Sequence, residues 1–452
     1  MNMMKFFAVA LLVMTVSVSV PTGYAGEVIP DQKLNEALRT THITGTTDKE
    51  PFSYQKNEKM VFKFTVHPGE GLDLKDCFIR YSRVGDDGQS YTKTAPATEV
   101  LTVETSLDRA GFVGIMMHLV DAKGDYYFYH PNLNSKSGRK SIGYFAGAAV
   151  EAQALTDCGE PADFDEFWRK QRARLDAVPF KGLVELKKVD TINNVDVYTV
   201  KVPCAGPRPA TAYMGIPVGA KDKSLPAELR FSGYGPSIHR RNSIAWPQDK
   251  ICLLINAHGQ ELEKDDAYYK EFFQSIRSNG HQYAFDPEQN KDPETAFFNG
   301  MALRIMRLLD YVKTRPEWNG KDIAAHGGSQ GGLQTMWAAA LDEQVNEAYP
   351  SITWCCDIAG HTKKGRWNAR GRMKYTPALD YYDPVFMAKR IRKAKVVITS
   401  AGMADYISPP SGVAISYNNL ATPNKKIVWV QGADHSFYPP KVDYIVWENK
   451  VK

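Results

Sequence analysis

The chain lacks the residue spacings that hold metals. It has no C-x-x-C, no H-E-x-x-H and no paired histidines, so neither a metal nor a cofactor is called for. Charge of one sign is also missing: a formal net charge of +5 over 452 residues is too mild to point to a nucleic acid or an anionic surface. Past the first 25 residues no apolar run is long enough to cross a bilayer, which excludes membrane insertion. No region is of low complexity, and no blade-like repeat of about 40–50 residues marks a propeller. Cysteine is scarce, at positions 77, 158, 204, 252, 355 and 356. Six cysteines allow about fifteen full pairings, so no connectivity can be assigned. Cys252 lies inside the apolar run Ile251–Ile255 and reads as a packed thiol, while the neighbours Cys355 and Cys356 are poorly placed to bridge each other.

What the chain does contain begins with a leader. Lys5, the apolar run from Phe6 to Val20 and the small-residue site Gly23-Tyr24-Ala25 read as a secretory signal peptide over residues 1–25. The expectation is a secreted or periplasmic protein, soluble once the leader is cleaved. Residues 27–150 then read as all-β, with strands expected at Met60–Val66, Phe78–Val84, Val100–Leu107, Phe112–Asp121 and Tyr126–His130. Turn clusters such as Gly85-Asp86-Asp87-Gly88 separate them, and the spacing points to an immunoglobulin-like sandwich. The aromatic run Tyr126-Tyr127-Phe128-Tyr129 reads as half core and half surface rather than a sugar-stacking patch.

From 158 to 452 strands alternate with helices, the mark of an α/β domain. Buried strands are expected at Leu225–Ser232, Ile251–Ala257, Ile352–Cys355, Val396–Thr399 and Ile427–Val430, after antiparallel segments Glu185–Val189, Val195–Val202 and Thr211–Pro217. A helix over Pro293–Thr314 carries one apolar face, and a further helix is expected after Pro440.

The chemistry is written at Gly327-Gly328-Ser329-Gln330-Gly331, a G-x-S-x-G run. The strand Asp322–His326 precedes it and the helix Gln330–Leu341 follows, so Ser329 sits where a strand turns sharply into a helix. The free N–H groups of that helix start face any oxyanion formed beside the serine. A neutral serine needs a base oriented by an acid, and on this layout they follow in the order Ser, Asp or Glu, His, in loops after later strands. Asp405, after Lys395–Ser400, and His435, after Lys426–Val430, meet both conditions; Asp434 is next to the histidine and diverges from it. The oxyanion donors are expected to be the backbone N–H groups of Gln330 and of Tyr234, in the Gly233-Tyr234-Gly235 loop.

Taken together, several segments resemble the acetyl xylan esterase/cephalosporin C deacetylase family of α/β-hydrolases. They are Pro161–Trp168, Gly233-Tyr234-Gly235, Arg315-Pro316-Glu317 ahead of Gly328–Gly332, and Gly402-Met403-Ala404-Asp405 with Pro409-Pro410. The resemblance covers about 158 to 452 and has two departures: His258-Gly259-Gln260 where the family has Arg-Gly-Gln, and His435-Ser436 where it has His-Glu. It implies an α/β-hydrolase catalytic domain behind the sandwich, an acetylated carbohydrate such as xylan as substrate, no cofactor, and leaves a homo-oligomer open. The segment His361–Tyr382 is expected to rim the site, with Trp367, Tyr375, Tyr381 and Tyr382 as candidates to stack on sugar rings. Arg366, Arg370 and Arg372 there read better as a solvated basic face. Two rivals share the layout: a serine peptidase of the prolyl-oligopeptidase kind, and a glycan-binding protein on an inactive hydrolase fold.

Overall fold

A computed structural model describes residues 27–28, 30–131, 138–369, 371 and 373–449. The expected leader, and Arg370 and Arg372, lie outside the described residues.

The first half builds two facing β-sheets. In Met60–His67 every second residue is buried, and this strand pairs with His42–Thr47 and Leu101–Thr105. Opposite it, Gly111–Asp121 sits between Cys77–Gly85 and Gly143–Val150 in a seven-stranded sheet. Phe62, Phe64 and Val66 from one sheet meet Ile79, Ile115, Met117 and Leu119 from the other in a single apolar core. The five strands expected from alternation all form. The unit is not all-β, however: Gln32–Thr40 is a helix, capped by Asp31, whose carboxylate accepts from Leu34 N at 2.8 Å. It buries Asn35, Ala37 and Leu38, and its apolar residues Leu34, Ala37 and Leu38 stand at the i, i+3, i+4 spacing of a helix, a signal that the all-β reading does not use.

The second half is built on a ten-stranded sheet in the spatial order 185–192, 195–202, 210–217, 251–256, 225–231, 318–328, 347–351, 395–402, 425–431, 443–449. The strands from 251–256 through 425–431 run parallel, and antiparallel strands flank them on both sides. In such sheets sites form beyond the carboxyl ends of the parallel strands. The helices Phe297–Val312, Gln330–Leu341 and Pro410–Asn419 supply much of the buried apolar cluster against it. Among the described residues no helix is long and apolar enough to cross a membrane, and all six cysteines are unpaired.

Two expected elements are corrected. The strand is Glu347–Ser351, not Ile352–Cys355: Ile352, Cys355 and Asp357 have φ of 38°, 63° and 60°, which ends the extended run in tight turns. Within the turn Thr353 and Trp354 are buried, and Trp354 N bonds the Ser329 carbonyl, so the segment folds under the site rather than extending as a strand. After Pro440 the chain forms the antiparallel strand Asp443–Asn449 rather than a helix. There Ile445 and Trp447 alternate inward, and Trp447 packs on Trp429 with ring centroids 5.2 Å apart.

Candidate active site

The strand Trp318–Gly328 and the helix Gln330–Leu341 leave one residue between them, Ser329, with φ 56° and ψ −119°. A non-glycine residue rarely holds this conformation, and it needs tight packing to persist. The packing is visible at Gly331, where an added Cβ would lie 2.5 Å from the carbonyl oxygen of Phe231. Ser329 is further pinned by its N–H to Ser351 O at 2.9 Å and by Trp354 N donating to its carbonyl at 3.2 Å.

Ser329 Oγ points at His435, with 2.8 Å to Nε2. The other ring nitrogen, Nδ1, lies 2.8 Å from Asp405 Oδ2. With the proton on Nδ1, that nitrogen donates to the carboxylate and Nε2 accepts from the serine hydroxyl. Asp405 is only 1% exposed, and its Oδ1 accepts from the N–H groups of Ile407 and Ser408, each at 2.8 Å. Both oxygens therefore have fixed work, which sets the angle of the carboxylate. Burial by itself would push the His435 pKa down; the charge and hydrogen bond of Asp405, with Asp434 behind, outweigh it and leave the pKa raised. Asp434 does not bond the imidazole. It accepts from Ser436 N and Phe437 N at 2.7 and 2.6 Å, shaping the turn, and burial pushes its pKa up to about 6.

Gln330 is the first residue of its helix, so its N–H has no intrahelical acceptor and is free to face the space beside Ser329. Tyr234 follows the strand Leu225–Phe231, next to that of Ser329. A residue with no motif of its own, Tyr283, ties these two loops together. Its hydroxyl accepts from Gly235 N at 2.8 Å and donates to Gln330 Oε1 at 2.9 Å. Tyr234 OH donates to the Tyr283 carbonyl at 3.1 Å, and the two rings stack at 4.5 Å. Beneath them His258 Nε2 lies 3.2 Å from Gly235 O. Burial pushes its pKa down to about 3, so it stays neutral and donates from Nε2. Arg304 already buries its guanidinium here, bonding Ala257 O. A neutral histidine at 258 therefore holds the loop without adding a second buried charge. Tyr283 was invisible in the sequence because its partners stand 47 and 48 residues away.

The four aromatic residues expected to meet sugar rings divide into two pairs. Tyr382 is fully buried and its hydroxyl bonds Pro293 O, while Trp337 Nε1 donates to its carbonyl at 2.7 Å. Trp367 is buried against Phe145 and Ala404, and its N–H donates to Asp86. Tyr381 packs on Phe167 with its hydroxyl on Asp163, and the Tyr375 hydroxyl donates to Asp380. Trp367 and Tyr382 are packing residues, while Tyr375 and Tyr381 are half-buried with their hydroxyls on carboxylates. Arg366 also departs from a solvated face: it is buried and ion-paired with Asp357. A separate aromatic cluster of Tyr234, Phe285 and Trp354 has centroids 5.2 to 6.0 Å apart, and Trp354 links it to Ser329 through its N–H.

Residues 155–364 match the acetyl xylan esterase family. That segment contains Tyr234, Ser329 and Gln330 and ends before Asp405 and His435, so the acid and base rest on geometry. The chain is 27% identical over 296 residues to the acetyl esterase Axe7A of Xylanibacter ruminicola, covering 59% of this chain and 62% of that protein's length. The fold is similar to that of an acetyl xylan esterase from a Paenibacillus species, with a TM-score of 0.53 and 24% identity over 64% of this chain and 94% of that one. Acetyl xylan esterase 1 from a Thermoanaerobacterium species matches with a TM-score of 0.53 at 21% identity, covering 64% and 93%. Residues 155–364 are accordingly similar to the acetyl xylan esterase family, on an α/β-hydrolase fold preceded by a β-rich unit.

Proposed function

We propose that the protein is an exported serine esterase that removes acetyl or other short acyl groups from carbohydrate, with xylan-type polysaccharide as the favoured substrate. The observation that carries this reading is the Ser329–His435–Asp405 relay, with both hydrogen bonds at 2.8 Å. His435 Nε2 takes the hydroxyl proton as Ser329 Oγ attacks the ester carbonyl, and Asp405 stabilises the imidazolium that results. The N–H groups of Tyr234 and Gln330 stabilise the oxyanion. As the C–O bond breaks, His435 returns the proton to the departing sugar oxygen. Water, deprotonated by His435, then attacks the acyl-enzyme; the acyl C–Oγ bond breaks, His435 returns the proton to Ser329 Oγ, and the carboxylic acid leaves. The leader-like residues 1–25 support export, and the named relatives support acetyl as the acyl group.

The test is acetate release from acetylated xylan beside a small aryl acetate, with the wild type and Ser329→Ala. Release from both, lost in the variant, is the expected result. Turnover of the aryl ester alone would remove xylan as the substrate, and turnover of neither would remove the ester reading.

A further inference from the structure

The β-rich unit and the large sheet meet along the strand Gly143–Val150, which is buried throughout. Its residues divide between two sides. Tyr144, Ala146, Ala148 and Val150 join the sandwich core, while Phe145 and Ala149 pack with residues of the second half.

On that second side the contacts converge on the two loops that carry Asp405 and His435. Phe145 N donates to Gly432 O at 3.1 Å, three residues before the histidine. The Gln431 amide pairs with Gly147 in both directions, its Oε1 accepting from Gly147 N and its Nε2 donating to Gly147 O, each at 2.8 Å. A Cβ on Gly147 would stand 2.2 Å from Met403 O, two residues before the acid, so only glycine allows this approach. The Phe145 ring lies 5.5 Å from that of Phe437, two residues after the histidine, and also packs with Ala404. Asp86, from the sandwich, accepts from Trp367 N at 2.9 Å and from Ser411 Oγ at 3.1 Å, where the helix after the acid loop begins.

We propose that the β-rich unit is a positioning element of the active site, acting through Gly143–Val150 and Gln431 to hold the Asp405 and His435 loops in register with Ser329. This rests on the esterase reading of the triad. The physical need is clear: Ser329 is fixed by a strand and a helix, but the acid and base ride on loops, which are the more mobile part of a fold. A relay of this kind must be held to about half an ångström, and loops need outside support to achieve that. The groups with charge that face His435 are Asp405, from the loop after 395–402, and Asp434 beside it; the turn ahead of the helix 330–341 presents Ser329, and the supporting strand presents Phe145 and Gly147, which carry none. Loosening the strand therefore changes the distance between His435 and Asp405, not the set of charges.

The test uses the full chain as wild type, Gln431→Ala and Phe145→Leu, with Asn35→Ala as a control. Asn35 holds His130 through two hydrogen bonds inside the sandwich, far in sequence from this interface, so its loss weakens the unit without touching the loops. The measurements are kcat and KM on an aryl acetate, the melting temperature, and the NMR titration of His435 with its Nδ1–H resonance. Gln431→Ala is expected to lower kcat about tenfold with little change in KM. It should also move the His435 midpoint down and weaken the Nδ1–H signal. Phe145→Leu should do the same to a smaller degree, and Asn35→Ala should lose melting temperature alone. Unchanged kcat and an unchanged His435 titration in both interface variants, with an active wild type, would overturn the positioning role and leave the esterase reading intact. An inactive wild type whose His435 signals still move in Gln431→Ala would do the reverse.

Discussion

Replacing Asp405 by Asn tests the relay at its least replaceable point. The carboxylate accepts three hydrogen bonds, from His435 Nδ1, Ile407 N and Ser408 N. An amide has the same shape but one acceptor oxygen. Two backbone donors meet Oδ1, and both are fixed by the loop, so the amide oxygen must turn to them. Its NH2 then faces His435 Nδ1, which must present a lone pair instead of a proton. The imidazole proton moves to Nε2, opposite Ser329 Oγ, and the base can no longer accept the hydroxyl proton. A wrong tautomer in the same geometry costs about 10⁴ in kcat in the serine-protease template, or about 5.5 kcal/mol of barrier. The expected result for Asp405→Asn is a loss of that order in aryl acetate turnover, with KM and melting temperature little changed. A loss under about tenfold would refute this reasoning, because the tautomer would not be controlling the base.

Three further expectations follow from the same geometry. Activity should fall as pH drops through the raised His435 pKa, since the protonated ring cannot accept from Ser329; an acidic limb at or below the ordinary histidine value, about 6.5, would contradict the coupling to Asp405. Tyr283→Phe keeps the stack on Tyr234 but removes the bridge between Gly235 and Gln330, and should lower kcat about tenfold at similar KM; full activity would mean the two donor loops are held without it. Gly331→Ala drives a methyl onto the Phe231 carbonyl and should destabilise the fold by about 1–3 kcal/mol in denaturant unfolding, with activity lost alongside; a neutral effect would mean the elbow has slack.

The site was legible where chemistry forces residue type and order. A G-x-S-x-G turn between strand and helix exposes its serine as a nucleophile, and only a few later loops follow a buried strand with an acid or a histidine. The structure brings Ser329, Asp405 and His435 together for that reason. The helix Gln330–Leu341 was readable from its small and apolar residues, and Met60–Val66 from alternation. Failures came where burial and period conflict. Ile352–Cys355 reads as a strand but turns beneath the serine, and Trp367 and Tyr382 sit in a segment that looks like a surface loop yet packs into the interface and the core. The strand at Gly143–Val150 has no readable period because glycine and alanine make up five of its eight residues, and its role depends on a partner, Gln431, 284 residues away. Tyr283 is of the same kind. Long-range partners leave no local pattern.

The most direct test of the central claim is to trap the covalent intermediate. Wild type and Ser329→Ala are mixed with excess aryl acetate, quenched in acid during the first turnover and digested for peptide mass analysis. One acetyl group on the peptide bearing Ser329, present in the wild type and missing in the variant, is the predicted result. Rapid turnover with no acetyl on that peptide, or with acetyl retained in Ser329→Ala, would contradict the account.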